Sequence, residues 1–552
     1  MNTLDQIQHA FLQKIKELFS FDQLHAITID SNDDPKKQNF GDLSSNAPLI
    51  IAKILGENPR AVAQKIIANF AHTAVERMEI AGPGFINFFL TQPALHTIGA
   101  ELFTHEETFF KRDPKAEKTF YNVEFVSANP TGPLHLGHGR NGILGDVLGN
   151  ILLFIGHHVT KEFYINDAGA QMQKLGISLK VRCQQQLGQA AEIPEEGYQG
   201  EYLKELAAQA IAEDKKNIEA KIAADDIDFF TVYARDRLLE MQKKTLAEYG
   251  ITFDVWFSEK VLHIDGAVEE ALKFLDQKGY TYVEEGALWF KSTAFSDDKD
   301  RVLKRGNGEV TYMAADVAYA QNKLARGAQK IIIVVGQDHH GYVHRMQAVM
   351  QALGHKAEDM NILLYQLVTI KEGGEEVRMS KRTGRIVELS DIIETVGADV
   401  ARFFYLHRKA DAHLVFDLDL ALKRTEENPV YYIQYAYVRT KSMFEKADEH
   451  EVLRNISEAD IHDLDEQEKL LIRKICALKT LLSNISNNYQ THLLTYYVVE
   501  LAHLFHSYYG SHKVIDLENV ATSRKRLALV MLIQRTLYLC MKLLGISCPE
   551  KM

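Results

Sequence analysis

Two periods of hydrophobic and polar positions alternate along the middle of this chain. Short apolar runs such as FYNVEFV (120–126) and IIIVV (331–335) have the length and β-branched content of buried strands. From 143 to 155, apolar residues recur at every third or fourth position, which predicts a helix. We therefore expect strands that alternate with helices in this part of the chain.

The strand runs of the middle region are almost continuously apolar, and a further one, ILLYQLVTI, occupies 362–370. Such strands, joined by crossover helices, predict a parallel sheet that is covered on both faces. The expected fold class is α/β, with a doubly wound, Rossmann-like domain at 113–420. Polar helices rich in Gln and Glu, from about 171 to 300, predict a subdomain inserted into it.

The two ends of the chain follow other patterns. Residues 1–112 mix short helices with strand-like pieces such as GFINFFL (84–90), which predicts an α+β N-terminal domain. After about 420 the pattern is wholly helical, and Asn428 followed by Pro429 is typical of a helix N-terminus. We expect 421–552 to form an all-α bundle.

Composition limits the protein classes that need consideration. The chain has 552 residues, too many for one core, and its 46% hydrophobic and 25% charged residues are ordinary for a globular protein. No uninterrupted apolar run approaches a membrane span, and the N-terminus lacks the pattern of a signal peptide. The four cysteines are scattered without a CxxC pair. We expect a cytoplasmic protein that does not enter a membrane.

The segment SANPTGPLHLGHGRNGILGD (127–146) is rich in glycine and lies between a predicted strand and a predicted helix. Glycines at such a turn let backbone N–H groups approach a ligand, and a helix N-terminus favours an anion. His135 and His138, three residues apart, would share one side of the first turn and could both donate to phosphate oxygens. The spacing matches neither GxGxxG nor the P-loop, which disfavours hydride transfer and P-loop hydrolysis.

A basic loop, VRMSKRTGR (377–385), follows the strand predicted at 362–370. Lys381 in this loop could reach a polyphosphate and balance the charge that develops at the α-phosphate. Taken singly, the histidine turn could be incidental and the basic run could be a solvated surface. Their order and positions together indicate nucleotide chemistry.

These two segments resemble known motifs. His135–His138 resembles the HIGH motif of class I aminoacyl-tRNA synthetases, and RMSKR (378–382) resembles their KMSKS loop. The sequence around these two motifs resembles that of bacterial-type arginyl-tRNA synthetases, and the resemblance covers nearly the whole chain. It includes the segments INDAGAQ (165–171), TYMAADVAYA and ENPVYYIQYAYVR. Arg378 and Arg382 depart from KMSKS, whereas Lys381 is kept.

The resemblance implies ATP-dependent ligation of L-arginine to tRNA(Arg) through an arginyl-adenylate, with release of AMP and pyrophosphate. Neither step needs a protein nucleophile, so catalysis would consist of positioning and charge stabilisation. The implied catalytic residues are His135, His138 and Lys381, with Mg²⁺ on the phosphate oxygens. Gly137, Met379 and Ser380 would complete the ATP site.

A guanidinium has five donors and no acceptor, so an arginine site needs carboxylates. Glu124, on the strand before the glycine turn, and Asp316 meet that need and match positions that the family uses. Four further residues are implied for arginine: Ser127, Asn129, Tyr312 and His340. His340 and His344 have a spacing that could bind zinc on a helix, but no third ligand is indicated and we expect no metal site there.

The helical C-terminal region interleaves tyrosines with cations, a composition suited to stacking unpaired bases and holding phosphates. By resemblance this region is the anticodon-binding domain, with Tyr435 and Arg439 as tRNA contacts, and 1–112 contacts the outer corner of the tRNA. Arg524, Lys525 and Arg526 are a further basic group. Most of the tyrosines should pack in the core, and we expect a monomer.

Three alternatives remain open from the sequence. One is a class I synthetase for another amino acid, although the zinc-ligand cysteines usual in cysteinyl enzymes are absent. Another is a nucleotidylyltransferase, which also uses an HxGH turn but is usually much smaller. The third is a tRNA-binding relative without enzymatic activity. Arginine-dependent adenylate formation distinguishes all three.

Overall fold

The structure is a computed structural model that describes residues 2–20, 24–33, 40–377 and 388–552. Its contacts divide the chain into two compact units. The first unit contains 1–117, 154–156 and 423–552, and the second contains 118–153 and 157–422. Both ends of the chain therefore belong to the same unit.

The strands of the described residues, in chain order, are β1 (Ile29–Ser31), β2 (Leu43–Ser45), β3 (Val75–Ala81), β4 (Phe85–Leu90), β5 (Phe120–Glu124), β6 (His158–Ile165), β7 (Val255–Ser258), β8 (Thr281–Glu284), β9 (Ala287–Phe290), β10 (Arg301–Lys304), β11 (Lys330–Gly336), β12 (Met360–Tyr365), β13 (Val368–Glu372), β14 (Glu375–Val377) and β15 (Leu414–Asp417).

The α-helices are α1 (Thr3–Phe19), α2 (Ala47–Leu55), α3 (Pro59–Asn69), α4 (Gln92–His105), α5 (Leu136–Phe154), α6 (Ala170–Gln186), α7 (Tyr202–Ala223), α8 (Ile227–Glu248), α9 (Glu259–Ile264), α10 (Ala267–Gln277), α11 (Tyr312–Ala325), α12 (Tyr342–Ala352), α13 (Leu389–Val396), α14 (Ala398–Leu406), α15 (Leu418–Ala421), α16 (Pro429–Asp448), α17 (Glu466–Asn488), α18 (His492–Ser511) and α19 (Val520–Leu544).

The first unit joins an antiparallel sheet, in the order β1–β2–β4–β3, to the C-terminal helices α16–α19. Asn428 caps α16 through its side chain, and Pro429 is the first helical residue, as the sequence predicts. Buried Arg473 of α17 bonds Asp42 at 2.8 Å, so an ion pair connects the helices to the N-terminal region. The sequence analysis treats these two regions as separate domains, whereas their contacts make one unit.

The second unit is built on a five-stranded parallel sheet in the order β12–β11–β5–β6–β7. This order confirms the doubly wound α/β prediction. The chain leaves β5 towards β6 on one side, and β11 pairs with the other side of β5. Ligands of such sheets bind beyond the carboxyl ends of the strands, at this reversal of strand order.

Two parts of the second unit differ from the sequence prediction. Val255–Ser258 pairs in parallel with β6, so the insertion predicted at 171–300 is two segments, one before and one after a strand of the central sheet. The run 362–370 is divided between β12 and β13, and β13 pairs with β14 and β15 in another sheet. Both differences depend on pairing with distant segments, which apolar runs do not encode.

Helix α5 begins at Leu136, so most of the glycine segment is helix and not turn. A Cβ built on Gly145 would lie 2.2 Å from Cγ of Phe125, and one on Gly142 would lie 2.9 Å from Cδ1 of Ile251. These glycines therefore allow close packing of α5 against its neighbours. From the sequence, the glycines of this segment were attributed only to the close approach of a ligand to the backbone.

We expect Gly145→Ala to destabilise the protein by about 1–3 kcal/mol, because the methyl group overpacks a buried helix face. Gly510→Ala in α18 is the matched control, since nothing lies within 4 Å of its added Cβ and alanine is the better helix former. Chemical denaturation of both variants measures the difference. Equal stabilities would contradict the packing role of Gly145.

Among the described residues one helix, α19, is long and apolar enough to cross a membrane. Most of its apolar window is buried inside the protein, and the core helix of a globular protein passes the same test. The sequence predicts α19 as part of the helical bundle, and the basic residues at its start interrupt the apolar run that would mark a membrane span.

Candidate active site

The chain turns sharply beyond the carboxyl end of β5. Val126 and Ser127 have φ values of 63° and 41°, in the left-handed region that costs non-glycine residues about 1–3 kcal/mol. Asn141 of α5 holds this turn, because its side chain accepts from Val126 N–H at 2.6 Å and donates to the Val334 carbonyl of β11 at 2.8 Å. One side chain thus connects both strands at the reversal of strand order.

His135 and His138 lie at the start of α5 with their rings stacked, the centroids 3.7 Å apart. The Nδ1 of His138 accepts from the backbone N–H of His135 at 3.1 Å, and the Nδ1 of His135 accepts from that of Gly137 at 3.2 Å. An accepting Nδ1 carries no proton, so in each ring the proton resides on Nε2. The pair therefore presents two Nε2–H donors.

Desolvation, with a smaller contribution from His135, lowers the pKa of His138 to about 3. His138 is thus a neutral donor at physiological pH, and it adds no positive charge to the site. Any compensation of phosphate charge must come from other groups. This neutrality could not be read from the HxGH spacing.

The segment that begins at Glu388 lies against the histidine pair. The described chain stops at Val377 and resumes at Glu388, whose backbone forms a bridge with His135. Leu389 N–H also donates to the Leu134 carbonyl at 2.8 Å. The predicted ATP residues Met379, Ser380 and Lys381, like Arg378 and Arg382, lie outside the described residues.

Glu124 is the last residue of β5, and its side chain is buried. Its Oε1 accepts from the Ser127 hydroxyl at 3.0 Å, and its Oε2 accepts from the ammonium of Lys323 of α11. Lys323 is itself buried, with 1% of its side chain exposed. The carboxylate predicted to bind arginine is therefore already paired with a cation of the protein.

Asp316, two turns before Lys323 on α11, accepts from the Tyr342 hydroxyl at 3.0 Å. Desolvation raises the pKa of Asp316 to about 7, opposed by the Tyr342 hydrogen bond and by Arg345 and supported by the charges of Glu124 and Glu259. These interactions bring Asp316 and Glu124 into one acidic site. A half-buried carboxyl group whose pKa is raised in this way is ionised more fully when a cation binds beside it.

Glu259 is a member of this acidic site that the sequence analysis missed. It directly follows β7, it is buried, and burial raises its pKa, while Tyr164 and His263 oppose that shift. Burial also raises the pKa of Tyr164, to which Glu259, Asp316 and Glu124 all contribute. The available signal was a carboxylate at the end of an apolar strand, but that strand was assigned to the insertion.

The other predicted arginine residues are more open. Tyr312 begins α11 and is 73% exposed, and Asn129 is exposed with its amide bonded to Gln171 at 3.0 Å. His340, just beyond the end of β11, is also exposed. Within the described ranges no cluster of three or more histidine, cysteine or acidic side chains could hold a metal ion.

In the first unit, stacked rings line part of the helical bundle. Tyr435 stacks on His506 with centroids 5.6 Å apart, and Arg439 bonds the Tyr435 hydroxyl at 2.9 Å while lying over the ring of Tyr509. Of the four tyrosines near the start of α16, Tyr437 is buried, Tyr431 and Tyr432 are half-buried and Tyr435 is exposed, so only Tyr437 meets the expectation of a core tyrosine.

The basic group on α19 is engaged inside the bundle. Arg524 bonds Asp460 at 2.8 and 2.9 Å, and Lys525 bonds buried Glu468 at 2.7 Å. These side chains stabilise the fold, so the sequence interpretation of 524–526 as a phosphate-binding group is not supported.

Comparisons with known proteins agree with this fold and site. The family model described as tRNA synthetases class I (R), catalytic domain, matches 101–406, more than half of the chain. The fold and site thus define a class I aminoacyl-tRNA synthetase. Models described as the arginyl tRNA synthetase N terminal domain and the DALR anticodon binding domain match 5–90 and 433–552.

The arginine–tRNA ligase of Oceanobacillus iheyensis is 41% identical over 99% of this chain and 98% of its own length. That of Desulforamulus reducens is 44% identical over 94% of this chain and 93% of its own length. A putative arginyl-tRNA synthetase structure from Campylobacter jejuni is 33% identical, with a TM-score of 0.76 over 84% of this chain and all of its own. This chain belongs to the arginyl-tRNA synthetase family.

Proposed function

We propose that the site beyond the carboxyl ends of β5 and β11 is where this enzyme joins arginine to tRNA at the expense of ATP. The reaction proceeds through an arginyl-adenylate, with attack of the arginine carboxylate on the α-phosphate and release of pyrophosphate. The ribose of the terminal tRNA adenosine then takes the arginyl group and AMP leaves. No side chain forms a covalent intermediate, so the residues act by positioning and charge stabilisation.

His135 and His138 donate from Nε2 to the phosphate oxygens of ATP, and Gly137 allows the chain to approach them. The neutrality of His138 supports a donor role and leaves the phosphate charge to be balanced by cations. Mg²⁺ bound with ATP suits this donor set, since it would neutralise the phosphate oxygens. Lys381 supplies further positive charge to the phosphates. Met379 and Ser380 complete the ATP site.

Glu388, seven residues after Lys381 in the sequence, pairs with the backbone of His135. This proximity along the chain supports a shared role for the two motifs at one polyphosphate.

Arginine binds in the acidic site with its guanidinium facing Glu124 and Asp316. The raised pKa of Asp316 supports this assignment, because a desolvated carboxyl group of that kind gains from a bound cation. Ser127 and Asn129 hold the amino acid's backbone groups, exposed Tyr312 covers the ligand, and His340 contacts substrate from the end of β11. A lysine ammonium has fewer donors and leaves buried acceptors unpaired, which favours arginine.

The acidic site beside the histidine pair carries this proposal, and a charging assay tests it. Each labelled amino acid is incubated with total tRNA, with and without ATP. Only arginine should be attached, and only with ATP. Charging of another amino acid, or none, would refute the assignment, and the second result would indicate a tRNA-binding relative without activity.

The stacked rings of the bundle contact unpaired tRNA bases through Tyr435 and phosphates through Arg439. Base stacking on an aromatic ring contributes about 1–3 kcal/mol, so Tyr435→Ala should raise the KM for tRNA by roughly 5- to 150-fold. The KM for arginine and for ATP should stay unchanged. Tyr538→Ala, at another exposed tyrosine of the bundle, is the control and should leave the KM for tRNA unaltered.

The enzyme works as a cytoplasmic monomer. Buried Cys183, Cys476 and Cys540 carry free thiols, which is consistent with a reducing compartment. Light scattering of the purified chain should give a mass near 62.7 kDa.

A further inference from the structure

A buried lysine touches the carboxylate that we assign to arginine. Lys323 lies on α11, has 1% of its side chain exposed, and donates to Oε2 of Glu124. Its ammonium also lies 4.3 Å from the centre of the Tyr319 ring. Lys323 is therefore held from two sides, by the Glu124 carboxylate and by the Tyr319 ring.

The contacts around Lys323 extend across two neighbouring strands. Glu124 of β5 pairs in register with Glu162 of β6, and the Tyr319 hydroxyl donates to Glu162. Arg326 donates to both oxygens of Glu162, at 2.6 and 2.9 Å. One face of α11 therefore supplies a cation to each of two adjacent carboxylates, and Glu162 is fully occupied by its own partners.

Among the described residues, the partners of Glu124 leave part of its carboxylate unused. A carboxylate has about four lone-pair sites, and Lys323 and Ser127 use one on each oxygen. The remaining site on each oxygen is what a planar guanidinium with paired N–H donors requires. Lys323 thus fixes the rotation of the Glu124 carboxylate. The remaining lone pairs of the two oxygens then point in fixed directions.

Building on the proposed function, we propose that Lys323 is a positioning residue for arginine recognition, which holds Glu124 in the orientation that accepts the guanidinium. It does not contact the reacting atoms. Loss of the Lys323 ammonium frees the Glu124 carboxylate to rotate. Arginine binding then has to order this carboxylate, which weakens the binding. A different role, competition with substrate for Glu124, would have the opposite effect, since removing a competing cation strengthens arginine binding.

Steady-state aminoacylation by the full-length enzyme separates these roles. Lys323→Met should raise the KM for arginine at least tenfold, while the KM for ATP changes less than threefold. Lys323→Arg, which keeps a charged donor, should recover part of the loss. Lys161→Met is the matched control, because it removes a lysine paired with buried Asp146 at 2.6 Å, and successive side chains of β6 put Lys161 on the face opposite to Glu162. Thermal melting shows whether Lys323→Met folds. If it does not fold, the KM for arginine of Lys323→Arg decides the test.

An unchanged or lowered KM for arginine in Lys323→Met would overturn the proposal, as would equal changes in the control. Glu124→Gln and the double variant Glu124→Gln/Lys323→Met distinguish this failure from failure of the site assignment. If Lys323 acts through Glu124, the double variant should be no worse than Glu124→Gln alone. If Glu124→Gln itself leaves the KM for arginine unchanged, the proposed arginine site is wrong.

Discussion

His138→Ala should lower the kcat of aminoacylation by about 10²–10³-fold, since removing one preorganised donor to the developing charge has a cost of that size. The KM for arginine should change little, because the acidic site is untouched. His138→Gln places an amide N–H near the former Nε2 and should recover part of the rate. Initial rates of arginine-dependent tRNA charging measure all three enzymes.

The pH dependence of kcat offers an independent check on His138. Its pKa is lowered to about 3, so the ring stays neutral from pH 5.5 to 8.5 and contributes no ionisation to kcat there. The unfolded chain, whose histidines titrate near 6.5, binds the extra proton first, so this group destabilises the fold as pH falls below that value. If kcat of the wild type changes with an apparent pKa near 6.5, and this change is absent from His138→Gln, the neutral-donor role is contradicted.

Asp316→Asn should raise the KM for arginine by roughly 30-fold or more, which corresponds to the 2 kcal/mol or more lost when a buried charge partner is removed. Asp316 faces Tyr342, Arg345, Glu124 and Glu259, and its pKa is raised to about 7. A bound guanidinium favours the ionised carboxylate, so binding releases a proton below neutrality. In the wild-type enzyme the KM for arginine should therefore fall between pH 6 and pH 8, and Asp316→Asn should flatten this dependence.

The same carboxyl group connects arginine binding to stability. Because its folded-state pKa is raised, it favours the fold at low pH and loses that contribution as pH rises through about 7. Arginine restores the loss, so its effect on the melting temperature should be larger at pH 8 than at pH 6. Asp297→Asn, at a buried aspartate that Arg301 bonds at 2.8 Å, is the control and should melt earlier without changing the KM for arginine. A KM for arginine that is independent of pH in the wild type would argue against this role of Asp316.

Much of the fold follows from local patterns. Strand-length apolar runs gave β5 and β11, helical spacing gave α5 and the C-terminal helices, and Asn428–Pro429 marked the start of α16. These signals depend on neighbours a few residues away, so they survive without knowledge of the tertiary structure. The motif around His135 and His138 is equally local, and it identified the family.

The candidate site was predicted less completely. The carboxylates Glu124 and Asp316 could be chosen because the family resemblance pointed to acceptors that a guanidinium needs, but Glu259 and Lys323 could not. Glu259 depends on β7 joining the central sheet, and Lys323 contacts a carboxylate 199 residues away along the chain. Neither the strand pairing nor the Lys323–Glu124 contact produces a periodic pattern in the sequence.

The sequence by itself determined the order of elements, the α/β class and the residue types available for nucleotide and guanidinium chemistry, because these are properties of short segments. Only the tertiary structure decided that Gly145 packs against Phe125, that desolvation raises the pKa of Asp316, and that Lys323 pairs with Glu124. Burial, pairing and electrostatic environment arise where distant segments meet, and the chain must fold before those neighbours exist.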